Sequence, residues 1–328
     1  MSAEREVRAV VWNRAKANSE GSRIDPFPEV TDVTLPTLQP HLRRRWLFTM
    51  CLALGASLAA SCSIVAPGGG AERQTTVAGS SGPLAVDDGG SGGVPILFVH
   101  SFAGSGAHWQ SQLAHLRATR RAVAMDLRGH GLSPPPLDSN YSVTALASDI
   151  ASVADALKLR RFVLVGHSMG GAAAVAYAGM HPDRLAGLVL VGTPGKVAPA
   201  QAQQTVDALN ADYDKTMAGY WESLLVDAQP GVRARLQADR TRIPRQSSMA
   251  IISAIFAFDP LPPLAAYAGP KLVIDASRAD NPGALFRQAP GIPYQLIDGT
   301  SHWVQLDNPQ AFNDRLDAFL VGVEGNLK

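Results

Sequence analysis

Beyond Ser63 the sequence contains no cysteine. The two it has, Cys51 and Cys62, lie in one apolar N-terminal stretch of a 328-residue chain. The rest of the chain therefore has neither a disulfide nor a thiol nucleophile. Charge of one sign is also missing. Lys and Arg number 29 against 28 Asp and Glu, a net charge of +1, which gives nucleic acid no basic surface to follow. None of the eight histidines stands in a His-x-x-x-His spacing, and no Cys-x-x-Cys pair occurs. A metal site is unsupported, and no cofactor is called for.

Residues 1–40 are polar and Pro-containing, with no sustained apolar period. They are expected to be disordered, or an extension upstream of the mature protein. An export signal or membrane anchor is expected over residues 41–66. Arg43-Arg44-Arg45 is followed by an apolar run from Trp46 that ends in small residues and Cys62. Three fates stay open. The segment is cleaved; or Ala59-Ala60-Ser61-Cys62 is a processing site at which Cys62 takes a lipid; or the run is retained as an anchor, being close to the ~20 residues a span requires. All three imply export, to the periplasm, the cell envelope or the medium. Membrane association would then come through this segment or a lipidated Cys62.

One domain is expected over residues 71–325. Gln74–Val77 and Leu84–Val86 read as an antiparallel pair joined by Gly79-Ser80-Ser81-Gly82. Ile96–Val99, Ala122–Met125, Phe162–Val165, Leu188–Val191, Leu272–Ile274 and Tyr294–Ile297 follow, nearly all of them wholly apolar, as strands buried on both faces should be. Helical stretches such as Val143–Leu157 separate them. This alternation predicts an α/β fold with a mostly parallel sheet flanked by helices. Residues 198–268 contain no strong strand. Ala200–Leu225 and Gln246–Phe258 read as helices, and so long an insertion is expected to be a helical lid.

Between the strand ending at Val165 and a small-residue helix stands Gly166-His167-Ser168-Met169-Gly170. Strand, Gly-x-Ser-x-Gly and helix together make a turn so tight that the serine hydroxyl is lifted clear of the sheet. The helix start aims free N–H groups at the place where negative charge would develop. Near the C-terminus, Asp298-Gly299-Thr300-Ser301-His302-Trp303 follows a strand, which puts His302 where α/β sheets bind ligands. Two further strand exits are Gly-rich: His100–Ser105 and Gly129-His130-Gly131.

With these motifs the chain resembles the α/β-hydrolase fold family, in its single-chain esterase, haloperoxidase and lactonase-like branch. The likeness runs from about Arg73 to Leu320. It rests on Gly166–Gly170, on Asp126-Leu127-Arg128-Gly129-His130-Gly131-Leu132-Ser133, and on Gly299–Trp303. The resemblance implies Ser168 as nucleophile, His302 as general base, and the N–H groups of Phe102 and Met169 as oxyanion hole. It implies an acid just past Leu272–Ile274. Asp280 is preferred to Asp275, which sits almost inside the strand. The family's Gly after the first-loop histidine is Ser101 here. Phe102, Trp109, Met169 and Trp303 are expected around the site, with Trp109 and Trp303 lining the substrate pocket. Tyr220, Trp221, Phe256 and Phe258 would be added by the lid. The expected partner is a small ester or lactone with an apolar group, cleaved through an acyl-enzyme (a carboxylic ester hydrolase, EC 3.1.1). Two alternatives share these residues: a cofactor-free haloperoxidase (perhydrolase) or C–C bond hydrolase, and a catalytically silent binding protein on the same fold.

Overall fold

A computed structural model describes residues 73–326, so the expected extension (1–40) and export segment (41–66) lie outside the described residues. The described residues open on a hairpin, β1 (Arg73–Gly79) and β2 (Gly82–Gly89), and enter the centre of the sheet at β3 (Ile96–Val99). Next come α1 (Gln110–Leu116), β4 (Ala122–Met125), α2 (Val143–Ala156), β5 (Phe162–His167), α3 (Met169–Met180) and β6 (Leu185–Val191). Helices α4 (Pro199–Ala211), α5 (Tyr213–Leu224), α6 (Pro230–Asp239), α7 (Arg245–Ala257) and α8 (Leu261–Ala266) are inserted before β7 (Lys271–Ala276). The chain then runs through α9 (Leu285–Gln288), β8 (Tyr294–Ile297), α10 (Val304–Asp307) and α11 (Pro309–Gly325).

The sheet order is β1-β2-β4-β3-β5-β6-β7-β8. The pairs β1/β2 and β2/β4 are antiparallel, and every pair from β4 to β8 is parallel. The hydrophobic sequence of the central strands explains this. Leu97, Val99, Leu164, Leu188 and Leu190 pack on one face. Their neighbours Ile96, Phe98, Val163, Val165, Val189 and Val191 pack on the other. Period-two alternation with both faces apolar is what a sheet covered on two sides demands.

All the expected strands are present, with ends shifted by up to three residues. The insertion differs more. The single helix expected over Ala200–Leu225 is two, broken at Asp212, whose extended backbone (φ −153°) and side chain cap α5 by accepting the Lys215 N–H. Helix α6 has only Leu236 buried, so no apolar stripe announced it.

Candidate active site

The turn between β5 and α3 is built on Ser168, whose backbone is at φ 53° and ψ −112°. A non-glycine residue at positive φ costs about 1–3 kcal/mol and persists only where its surroundings enforce it. Here glycines enforce it. A Cβ on Gly166 would lie 2.4 Å from the Gly170 carbonyl oxygen, and one on Gly170 would lie 2.4 Å from that of His100. The Ser168 N–H donates to the Val191 carbonyl at 2.8 Å, tying the elbow to the end of β6. The Ser168 hydroxyl has no hydrogen-bond partner among the described residues.

The loop after β3 brings Phe102 to this turn, because Gly170 meets the Val99 and His100 carbonyls directly. His100 holds that loop. Its Nε2 accepts the Leu127 N–H at 3.0 Å, so its proton is on Nδ1 and is donated to the Ser101 carbonyl at 2.7 Å. Burial pushes the His100 pKa down to about 3, which keeps that tautomer neutral. Among the described residues the Phe102 and Met169 N–H groups have no acceptor. Two unpaired donors beside a half-buried, unbonded hydroxyl are the elements of an oxyanion hole.

His302 follows β8 in a loop and is half-buried. Its ring lies 4.9 Å from that of His167, centroid to centroid. Gly192 makes room for it, since a Cβ there would stand 2.8 Å from His302 Cε1. Gly192 follows Val191, the residue that receives the Ser168 N–H, so the histidine ring stands at the strand end to which the elbow is tied. No hydrogen bond joins the two side chains. Burial first, and the Arg278 cation second, lower the His302 pKa to about 4.

Two sequence expectations need correction. Asp280 makes no hydrogen bond to His302. Both its oxygens are engaged by Arg287, Nε to Oδ1 and NH2 to Oδ2, each at 2.6 Å, at the surface. That pairing across α9 holds its carboxyl below the usual range. Asp275 is no substitute. It is buried at the end of β7 with its Oδ1 on the Ala276 N–H at 2.8 Å, and burial raises its pKa to about 7. No carboxylate hydrogen-bonds to His302 among the described residues. Trp109 also leaves the expected pocket. It is fully buried against Phe98 (4.8 Å) and Phe312 (6.0 Å), in the cluster formed with α11.

Trp303 is near the site but fully buried, so it forms a wall behind the pocket. It stacks on Trp221 of α5 (5.4 Å, 9°) and stands perpendicular to His302 (5.1 Å, 90°). Its Nε1–H donates to Ser101 Oγ at 3.1 Å. Ser101, the position where the resemblance leads one to expect glycine, thus ties the loop after β3 to the His302 loop. Sequence reading passed over this tie, and the departure from glycine was its signal. The Asp126–Ser133 segment proves to be scaffolding. Asp126 accepts the Gly106 and Leu132 N–H groups, and Arg128 forms a buried two-pronged pair with Asp149.

A family model described as alpha/beta hydrolase fold matches residues 94–229. The dihydrolipoyllysine-residue acetyltransferase component of an acetoin cleaving system from Pseudomonas putida is 28% identical over 248 residues, 71% of this chain and 65% of that protein. A 2-hydroxymuconate semialdehyde hydrolase from Pseudomonas sp. (strain CF600) is 36% identical over 111 residues, 33% of this chain and 39% of that protein. The chain thus spans less than two thirds of the length of these curated relatives. Among solved structures, Est816, an N-acyl homoserine lactone degrading enzyme, superposes with a TM-score of 0.68 at 27% identity, covering 75% of this chain and all (100%) of that one. The enol-lactonase from Burkholderia xenovorans LB400 shares the fold, with a TM-score of 0.65 at 24% identity over 75% of this chain and 100% of that one. The chain has the α/β-hydrolase fold.

Proposed function

We propose that the protein is a serine hydrolase that cleaves carboxylic esters or lactones through an acyl-enzyme on Ser168. The observation that carries this is the strained Ser168 turn, with its unbonded hydroxyl and the two unpaired N–H groups of Phe102 and Met169. A strained residue flanked by orphan donors is costly to stability and useful to acyl transfer.

In this reading His302 takes the proton of Ser168 as the hydroxyl attacks the carbonyl carbon. The carbonyl oxygen, now negative, is received by the two N–H groups, each worth about 3 kcal/mol in the transition state. The tetrahedral intermediate collapses as His302 returns the proton to the leaving oxygen. Water then repeats the sequence on the acyl-enzyme. With its pKa lowered to about 4, His302 is neutral, and so competent as a base, throughout the neutral range. The assignment uses Ser168 and His302 without Asp280. Helices α4–α8 act as a lid, with Trp221 behind the base and an apolar substrate group beneath. The likeness to Est816 makes lactones the first substrates to try beside short and medium p-nitrophenyl esters.

Fluorophosphonate labelling tests the nucleophile. The wild-type protein should label, and Ser168→Ala should not. An unlabelled wild type, or a labelled Ser168→Ala, removes the assignment. The export reading of residues 41–66 belongs to the same proposal. It predicts a mature N-terminus at or near Cys62, by N-terminal sequencing or mass spectrometry of envelope fractions, or at an upstream residue if the segment is retained.

A further inference from the structure

We propose that His167, the residue before the nucleophile, is a positioning residue of the His302 base, acting through the backbone of His302. The inference rests on the reading of Ser168 and His302 as the reacting pair.

His302 belongs to no regular element, so its placement depends on what holds its own peptide groups. Its N–H donates to the Leu224 carbonyl at the end of α5, at 3.1 Å. Its carbonyl faces His167 Nε2 at 3.0 Å. A carbonyl can only accept, so the Nε2 of His167 carries the proton. The other nitrogen, Nδ1, is then an acceptor, and Gln305 Nε2 supplies its donor at 3.1 Å. Gln305 thereby selects the tautomer that His302 requires. Both contacts are satisfied only while His167 is neutral. Its complete burial, next to the His302 ring and with no acid partner, holds it neutral.

The consequence is geometric. One residue of β5 carries the link to the base, and the next carries the nucleophile. The separation between Ser168 and His302 is therefore set over a single peptide, on a strand that is fully buried. The rings of His167 and His302 also touch, and Trp303 closes the other side at a right angle. Here the main chain is fixed and the ring is packed. Reacting groups displaced by about 1 Å lose on the order of 100-fold in rate, so the tie is felt in turnover.

The test compares His167→Leu with His167→Gln, whose amide N–H can reach the place of Nε2. For each, kcat and KM on a p-nitrophenyl ester, the fluorophosphonate labelling rate and the thermal midpoint are measured. His167→Leu should lose about 10- to 100-fold in kcat and in labelling rate with KM changed by less than about threefold, as misplacement of the base requires. His167→Gln should recover most of that loss, although it too disturbs the packing. A folded His167→Leu with near wild-type kcat overturns the proposal. So does an equal loss in both variants that follows their thermal midpoints, since His167 would then be only filler. If His167→Leu does not fold, Gln305→Leu takes its place. Freed of its donor, the His167 ring should lose tautomer bias and kcat should fall several-fold at unchanged KM; no change overturns the proposal. Ser168→Ala and His302→Ala are run beside them. Labelling that survives in Ser168→Ala refutes the hydrolase reading itself, whatever happens at residue 167.

Discussion

At the scale of single residues, two carboxylates stand at the end of β7, Asp275 inside the strand and Asp280 beyond it, and each is held by its own surroundings. Asp280 is clasped by Arg287 at the surface, and Asp275 is buried without a cation. Neither touches His302, so Asp280→Asn and Asp275→Asn should each keep kcat within about threefold of wild type, whereas loss of a triad acid costs about 10⁴-fold. Steady-state assays on a p-nitrophenyl ester decide this, and a collapse in either variant would restore that aspartate as the acid. Asp275 also makes a stability prediction. Its pKa is about 7 in the fold and lower, near 4, in the unfolded chain. Unfolding therefore releases a proton between those values, and the group destabilises the fold increasingly as pH rises through that window, by ~1.4 kcal/mol per pH unit. Asp275→Asn should raise the thermal midpoint more at pH 8 than at pH 5. Sequence could single out Ser168 and His302 because each lies in a short motif after a strand. It could not place Asp280, because the partner that claims the carboxylate lies seven residues on, within a one-turn helix. Trp109 was misread for a similar reason. It follows the oxyanion loop in sequence but turns to the opposite face of the sheet.

At the scale of elements, the insertion between β6 and β7 is attached to the His302 loop at two points. Trp221 of α5 stacks on Trp303, and the Leu224 carbonyl at the end of α5 receives the His302 N–H. A helix that buries a tryptophan and also supplies a backbone acceptor to the base is not free to move without consequence. Trp221→Ala removes a nearly fully buried ring, a change that costs about 3–5 kcal/mol in a well-packed core. The variant should melt earlier and also turn over more slowly, because α5 no longer holds Leu224 against His302. Denaturant unfolding and kcat on the same preparation check the two together; a destabilised variant with full kcat would show that α5 is not coupled to the base. The regular elements were readable to different degrees for physical reasons. Strands buried on both faces are continuous apolar words in the sequence, and all of them were legible. Helix α6 buries little more than Leu236, so its sequence has no period to read. The break between α4 and α5 depends on one capping side chain, Asp212, in a stretch that otherwise propagates as helix.

At the scale of the whole molecule, the fold keeps neutral histidines in its interior, and this sets its response to acid. His100 and His130 lie on adjacent strand exits with rings 5.1 Å apart, both fully buried. Burial lowers each pKa to about 3, and the proximity of the two rings adds to the shift of His130. In the unfolded chain both titrate near the ordinary histidine value of about 6.5. Unfolding therefore takes up two protons between pH 6.5 and 3. The stability these groups contribute is complete above pH 6.5 and is lost as pH falls toward 3. Asp275 opposes them, since it releases one proton on unfolding between about pH 4 and 7. Near pH 5.5 these three groups leave a net uptake of about one proton, or ~1.4 kcal/mol of stability lost per pH unit. His167 and His302, also held neutral by burial, add to the same uptake, so removing the opposing group in Asp275→Asn should steepen the loss by ~1.4 kcal/mol per pH unit relative to wild type. Adding His130→Phe to that variant should lower the slope again by ~1.4 kcal/mol per pH unit. Urea unfolding at pH 6.5, 5.5 and 4.5 measures all three slopes. Equal slopes in Asp275→Asn with and without His130 would mean that this histidine is not held neutral by burial.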